Sequence, residues 1–208
     1  MKYLIYDLET TGLLRTDEAI QFGGILTDDK LSMEKVYNFY GYTQVPIAEK
    51  AEAAHGISKT LLHKLSNGKT FEDGFYESSF LQEKDLTWIS FSTNGFDERM
   101  LNQTLTHNGL PAYDFGSKIA YLGAESSGIH NFDAYGALRR RVFNGRNQRL
   151  AQIVNTLPYS AERIQQVFEK QFVNISSNVA FHDALYDSYC LWLVLSFYKS
   201  RLGLDGLQ

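Results

Sequence analysis

Residues 2–12 read Lys2-Tyr3-Leu4-Ile5-Tyr6-Asp7-Leu8-Glu9-Thr10-Thr11-Gly12. The segment 2–7 is short, apolar and aromatic, which predicts a buried strand, and Thr10-Thr11-Gly12 reads as the turn that follows. Side chains alternate along a strand, so Asp7 and Glu9 project to the same side at its end. Two carboxylates about 7 Å apart on one face repel each other and are costly in an apolar setting. A divalent cation between them removes that cost, and hard oxygen ligands suit Mg²⁺ or Mn²⁺. Taken alone, an Asp-x-Glu after a strand is more often solvated loop chemistry, so the rest of the chain has to decide.

Outward from this strand, Ala19 to Thr27 predicts a second, with Gly23-Gly24 marking a bulge or a close backbone approach. Val36 to Tyr42 predicts a third, and three strands so close in sequence make an antiparallel meander. The pattern then turns helical. Ala48 to Ala54 is rich in helix formers and stops at His55-Gly56, Ser58 is placed to cap the next helix, and Phe71 to Leu81 is a further helix. Leu86 to Ser92 reads as a strand, and Asp97 to Asn108 as a helix ended by Gly109. Ser160 to Phe172 and His182 to Ser200 read as helices, the second apolar on most faces. Gly123 to His130 reads as a flexible loop near the active site. The sum is an α/β layer architecture in one domain, residues 1–208.

Three later residues bear on Asp7 and Glu9. Asp97 follows Asn94-Gly95-Phe96 where a helix begins, so it is either a simple first-turn cap or an acid facing the strand ends. His182 and Asp187 sit five residues apart, which puts the histidine at the start of the last long helix and the acid one turn inside it. A helix-end histidine is commonly satisfied by backbone. An Asp within so apolar a helix needs a partner, and a metal is a good one.

Tyr6-Asp7-Leu8-Glu9-Thr10-Thr11-Gly12 resembles the first motif of the DEDD superfamily of 3′→5′ exonucleases, the group that includes the proofreading subunit of bacterial DNA polymerase III and ribonuclease T. Asn94-Gly95-Phe96-Asp97 resembles its second motif. His182-Asp183-Ala184-Leu185-Tyr186-Asp187 resembles its third, in the histidine form, because the position that holds tyrosine in the other form is Asp183. His55-Gly56-Ile57-Ser58 resembles a further segment of the family. Four matches in order cover nearly the whole chain. The resemblance implies a ribonuclease H-like mixed β-sheet flanked by helices. It also implies two Mg²⁺ or Mn²⁺ ions on Asp7, Glu9, Asp97 and Asp187, His182 as general base, and nucleoside 5′-monophosphate as product. It places Thr10 and Thr11 at the terminal sugar, His55 and Asn94 close by, and Leu13 and Phe96 against the last bases unless they pack in the core.

The sequence departs from the family at Thr93, where a histidine often precedes the asparagine, and across about 117–156. Arg139, Arg140, Arg141, Arg146 and Arg149 lie between Ala137 and Leu150 with no acid among them; with a chain net charge of −4, the remainder carries −9. Such a cluster reads as a phosphate-contacting patch, with Arg139, Arg140 and Arg141 at its centre, or as a solvated helix or partner-specific insertion. The overall acidity excludes a protein that wraps duplex DNA through many phosphate contacts. Aromatic residues make up 14%, enough to leave rings for stacking on bases. One cysteine, Cys190, forms neither an internal disulfide nor a zinc cluster, which fits a reducing, cytoplasmic setting. Asp7 interrupts any signal-peptide core, and no apolar run approaches the ~18 residues that span a membrane. The expected partner is a single-stranded nucleic acid or a 3′ end, DNA ahead of RNA. A homodimer or replication partner stays open, and Leu202 to Gln208 offers no partner-binding tail. An exoribonuclease with the same metal site and a non-catalytic binding module are the competing readings.

Overall fold

The computed structural model describes residues 1–123, 127–172 and 182–202. The opening segment forms β1 (Lys2–Thr10), which pairs antiparallel with β2 (Ala19–Thr27), and β2 pairs antiparallel with β3 (Met33–Tyr40). The predicted meander is therefore present. β1 runs three residues further than 2–7 because the alternation persists: Leu8 continues the buried row of Leu4 and Tyr6, and Asp7 and Glu9 go to the other side. β3 is shifted from the expected 36–42. It already pairs at Met33, opposite Thr27, and ends where Tyr42 leaves to bridge Thr70.

α1 (Glu49–His55) is closed by Gly56, whose φ of 73° is the left-handed conformation glycine adopts without a steric penalty. α2 (Lys59–Ser66) starts at Ser58, whose hydroxyl accepts from the Leu61 N–H. The helix expected over 71–81 is two pieces: α3 (Phe71–Tyr76) and a 3₁₀ turn over Ser79–Gln82. Ser78 separates them, extended in its backbone while its hydroxyl donates back to the Gly74 carbonyl. β4 (Leu86–Ser90) is parallel to β1 and stops two residues before Ser92. α4 (Phe96–His107) follows.

The segment 116–156, which carried no assigned elements in sequence, adds the far edge of the sheet. β5 (Ser117–Lys118) and β6 (Ile129–Asp133) are parallel to each other, β6 is parallel to β4, and the order is β3-β2-β1-β4-β6-β5. The expected loop 123–130 is corrected accordingly. Ile129 and His130 lie in β6, with the His130 ring bonded to Ser117 Oγ and the Ser127 carbonyl, and residues 124–126 lie outside the described residues. Then come α5 (Ala134–Arg141), α6 (Leu150–Val154) and α7 (Ala161–Phe172). The last predicted helix splits into α8 (Ala184–Phe197) and α9 (Lys199–Leu202). α8 starts after His182 because His182 has a φ of 71° and Asp183 is the N-cap, its carboxylate accepting from the Leu185 and Tyr186 N–H groups. The expected C-terminal segment 203–208 lies outside the described residues.

The sheet is covered on both faces. Tyr3, Ile5, Ile25 and Ile89 pack against α5 to α8, while Leu4, Tyr6, Leu8, Phe22 and Trp88 pack against α3 and α4. Much of the aromatic content is spent here: the Trp88 ring touches Tyr6, Phe80, Tyr113 and Phe115 at centroid distances of 5.1–5.3 Å. Such edge-on and tilted contacts add to simple area burial. The C-terminal ends of β1, β4 and β6 open to one side, where open α/β sheets place their ligands.

Gly23 is where α8 meets the sheet. A Cβ at Gly23 would fall on the backbone of Ala184 and Leu185, which cannot yield as a flexible side chain does. Ser188 Oγ donates to the Gly23 carbonyl at 3.0 Å, fastening the helix there. Gly23→Ala is expected to cost about 3 kcal/mol or more, a fall in Tm of roughly 6–12 °C measurable by calorimetry. An unchanged Tm would mean the helix is not seated as tightly as described.

Candidate active site

The register explains how the acids meet. Asp7 pairs with Gly23 and Glu9 with Gln21, and residues 5, 7 and 9 share the face of the sheet on which α8 packs. Because the α8 backbone descends onto Gly23, its first turn stands over Asp7 and Glu9. Gln21, fully buried, holds the other end: its side-chain amide donates to Asp183 Oδ2 at 3.1 Å and accepts from the Ala184 N–H at 3.3 Å. Asp183 is therefore a structural carboxylate that aims the helix. Asp187 then projects toward β1, and one of its oxygens accepts the His182 N–H at 3.1 Å. A non-glycine residue in the left-handed region is the kind of local strain found at functional sites.

Glu9, His182 and Asp187 each present a ligand atom, all within 4.8 Å of one another. Asp97, in the first turn of α4, is only 2% exposed. Ser90, the last residue of β4, and Ser92 just past it hydrogen-bond its carboxylate. Burial pushes Asp97 up to about 7 against the pull of those hydroxyls. Burial likewise lifts Asp187 to about 7, and lifts Glu9 to about 9 with Asp187, Asp183 and Asp97 adding their repulsion. Asp7 is raised well above the ordinary carboxylate range by burial, then by Asp97, Asp187 and Glu9. Asp97 Oδ2 and Asp187 Oδ1 are buried with no hydrogen-bond partner. Orphaned anionic oxygens facing other carboxylates fit a divalent cation, which supplies the missing contacts and the missing positive charge.

These groups lie on one cleft of about 1090 Å³. Of the residues singled out from sequence, Asp7, Glu9, Thr10, Leu13, His55, Phe96, Asp97, His182 and Asp187 line it. Leu13 stands 75% exposed and is not spent on core packing, while Phe96 is half-buried, packing against the core on one side and lining the cleft. His55 is buried with its Nε2 3.2 Å from the Thr10 carbonyl, and burial lowers its pKa. Thr11 is fully buried, donating to Asp17 and accepting from the Glu18 N–H, and does not line the cleft. Asn94 is exposed outside it, with a φ of 60°. Arg139, Arg140 and Arg141 also lie outside it. Arg139 Nε donates to the Gly145 carbonyl, and Arg141 donates to the Leu202 and Ala120 carbonyls and lies over the Tyr121 ring. The insertion reaches the cleft elsewhere, through Tyr135 and Asn147 to Leu150 with Gln152. Of that wall, only the arginine count hinted at Arg149.

A family model described as exonuclease matches residues 4–194. Among solved structures, the chain is similar to the zinc-bound E. coli exonuclease I–ssDNA complex, at 17% identity over 97% of this chain and 41% of that one, with a TM-score of 0.66. It is similar to exonuclease I from Methylocaldum szegediense at 19% identity, 97% and 41% coverage and a TM-score of 0.64. It is also similar to a full-length 3′-exonuclease at 13% identity, 96% and 81% coverage and a TM-score of 0.66. No curated protein matches in sequence. The chain spans about two fifths of the exonuclease I chains, and at these identities the likeness is one of fold, the ribonuclease H-like mixed sheet flanked by helices. The family match runs through all three acidic segments and over nearly the whole sequence, and the chain belongs to the exonuclease family.

Proposed function

We propose that this chain is a 3′→5′ exonuclease. It hydrolyses the terminal phosphodiester of single-stranded nucleic acid, DNA ahead of RNA, with two Mg²⁺ or Mn²⁺ ions on Asp7, Glu9, Asp97 and Asp187. The convergence of four carboxylates, two of them with orphaned oxygens, beside one exposed histidine carries this reading. When bound, the ions stabilise charge on the attacking and leaving oxygens of an in-line displacement. His182 takes the proton of the attacking water. The water oxygen bonds to phosphorus as the P–O3′ bond breaks, and the departing 3′ oxygen takes a proton to become the new 3′-hydroxyl. The product is a nucleoside 5′-monophosphate. Thr10, Leu13, His55 and Phe96 hold the terminal nucleotide, the His55 ring being fixed by the Thr10 carbonyl. The single-stranded DNA in the E. coli exonuclease I complex supports the strand class. Among the described residues, no helix is long and apolar enough to cross a membrane.

A gel time course on 5′-labelled single strands of DNA and RNA, with free or blocked 3′ ends, in Mg²⁺, Mn²⁺ or EDTA, tests this. A metal-dependent ladder shortening from the free 3′ end, faster on DNA, is expected. Binding without cleavage would sink the enzymatic reading and leave a binding module.

A further inference from the structure

We infer that the wall of the cleft formed by Phe91, Tyr135 and residues 147–152 is a subsite for the nucleotide preceding the scissile one, with Arg149 taking its phosphate. The inference rests on the nuclease reading above. The cleft, at about 1090 Å³, exceeds the roughly 300–1,000 Å³ that holds one drug-sized ligand. Its lysine and arginine lining residues are Lys50, on α1, and Arg149, at the head of α6.

Arg149 differs from its neighbours in the insertion. Arg139 and Arg141 are committed to carbonyls of their own chain. The Arg149 guanidinium, in an exposed residue, has no hydrogen bond, ion pair or ring contact among the described residues. Its backbone is fixed all the same: its N–H donates to Gln152 Oε1 at 2.8 Å, and α6 packs on α8, the helix that carries Asp187. A rigidly based, unpaired guanidinium in a cleft also lined by carboxylates is a place for an anion that those carboxylates do not hold.

The same wall offers a ring platform. Phe91 lies just past β4 and Tyr135 just past β6, both half-buried, with ring centroids 5.4 Å apart edge to face. Bases of any sequence stack on such surfaces. A phosphate contact beside a stacking surface makes a nucleotide subsite. The terminal nucleotide's own phosphate is the scissile one and belongs at the carboxylates. Arg149 makes no ion pair with any of them, so the anion it takes is the next phosphate along the strand.

The test compares oligothymidylate with the p-nitrophenyl ester of thymidine 5′-monophosphate, which has a scissile phosphate and no preceding nucleotide, using the full chain with Mn²⁺. Arg149→Ala is expected to lower kcat/KM on the oligonucleotide about 10- to 100-fold, chiefly through KM, and to leave the ester unchanged. The slope of log affinity against log salt should flatten by about 0.7, and Arg149→Lys should restore most of it. Equal loss on both substrates would assign Arg149 to the scissile phosphate and overturn the subsite. No loss on either would remove the strand from this wall. A wild-type chain inactive on both would instead overturn the nuclease reading beneath it.

Discussion

Asp97→Asn is expected to lower kcat by about 10³-fold, the upper range for removing one electrostatic contact to a transition state, while raising the Tm of the metal-free protein at pH 8. The two effects have one cause. Asp97 is 2% exposed, its Oδ2 is unpartnered, and its carboxyl is pushed up to about 7. A carboxyl whose folded pKa lies above its unfolded value binds its proton more tightly when folded. That stability is complete below the unfolded value of 3.8 and is lost as pH rises through about 7. A rise of this size corresponds to on the order of 4 kcal/mol once the group is ionised. Asparagine has nearly the same shape and no charge, so at pH 8 in EDTA the variant should melt about 5 °C or more above the wild type. At pH 5 the gap should shrink by more than half, and it should close only below the unfolded value of 3.8. With excess Mn²⁺ the order should reverse, because the wild type gains ligand-binding energy that the variant lacks. Calorimetry at the two pH values, with and without metal, reads all of this. A variant melting below the wild type at pH 8 in EDTA would show that the buried charge of Asp97 does not cost the fold stability.

His182→Asn is expected to lower kcat by about 10²–10⁴-fold, with little change in KM or Tm. Asparagine is the informative replacement. His182 sits at a φ of 71°, which asparagine tolerates and alanine resists, and its N–H must stay to hold Asp187. The imidazole itself is exposed at the cleft, so its loss opens no cavity. Steady-state kinetics on oligothymidylate decide the matter. A kcat within about tenfold of wild type would remove His182 from the proton transfer.

What could be read from sequence divides along physical lines. β2 is bounded as expected, and β1 and β4 were recognisable, because their apolar runs are continuous and their ends are marked by turn residues. β6 was hidden because its sequence, Ile-His-Asn-Phe-Asp, places polar residues where a buried strand is expected to be apolar; His130 and Asn131 are buried by virtue of their hydrogen bonds and strand pairing. α6 is five residues long and has no periodicity to detect. The acids and the histidine were picked out by motif and spacing. Gln21 and Asp183 were not, since nothing local says that a glutamine on the second strand will hold a helix cap 162 residues away. The arginine cluster shows the limit of reasoning from charge. Composition located the segment, but only the fold separates Arg141, bonded to its own backbone, from Arg149, open to the cleft.

Seating α8 on Gly23 also sets the order in which this protein acquires its chemistry. β1, which carries two of the carboxylates, and β2 are synthesised well before α8. The histidine and the last carboxylate arrive some 160 residues later and reach them only when the helix docks. Contacts so distant in sequence form late and slowly. The four carboxylates and the histidine are therefore brought together only once α8 has docked on the sheet, so the cleft is completed in a single late packing step.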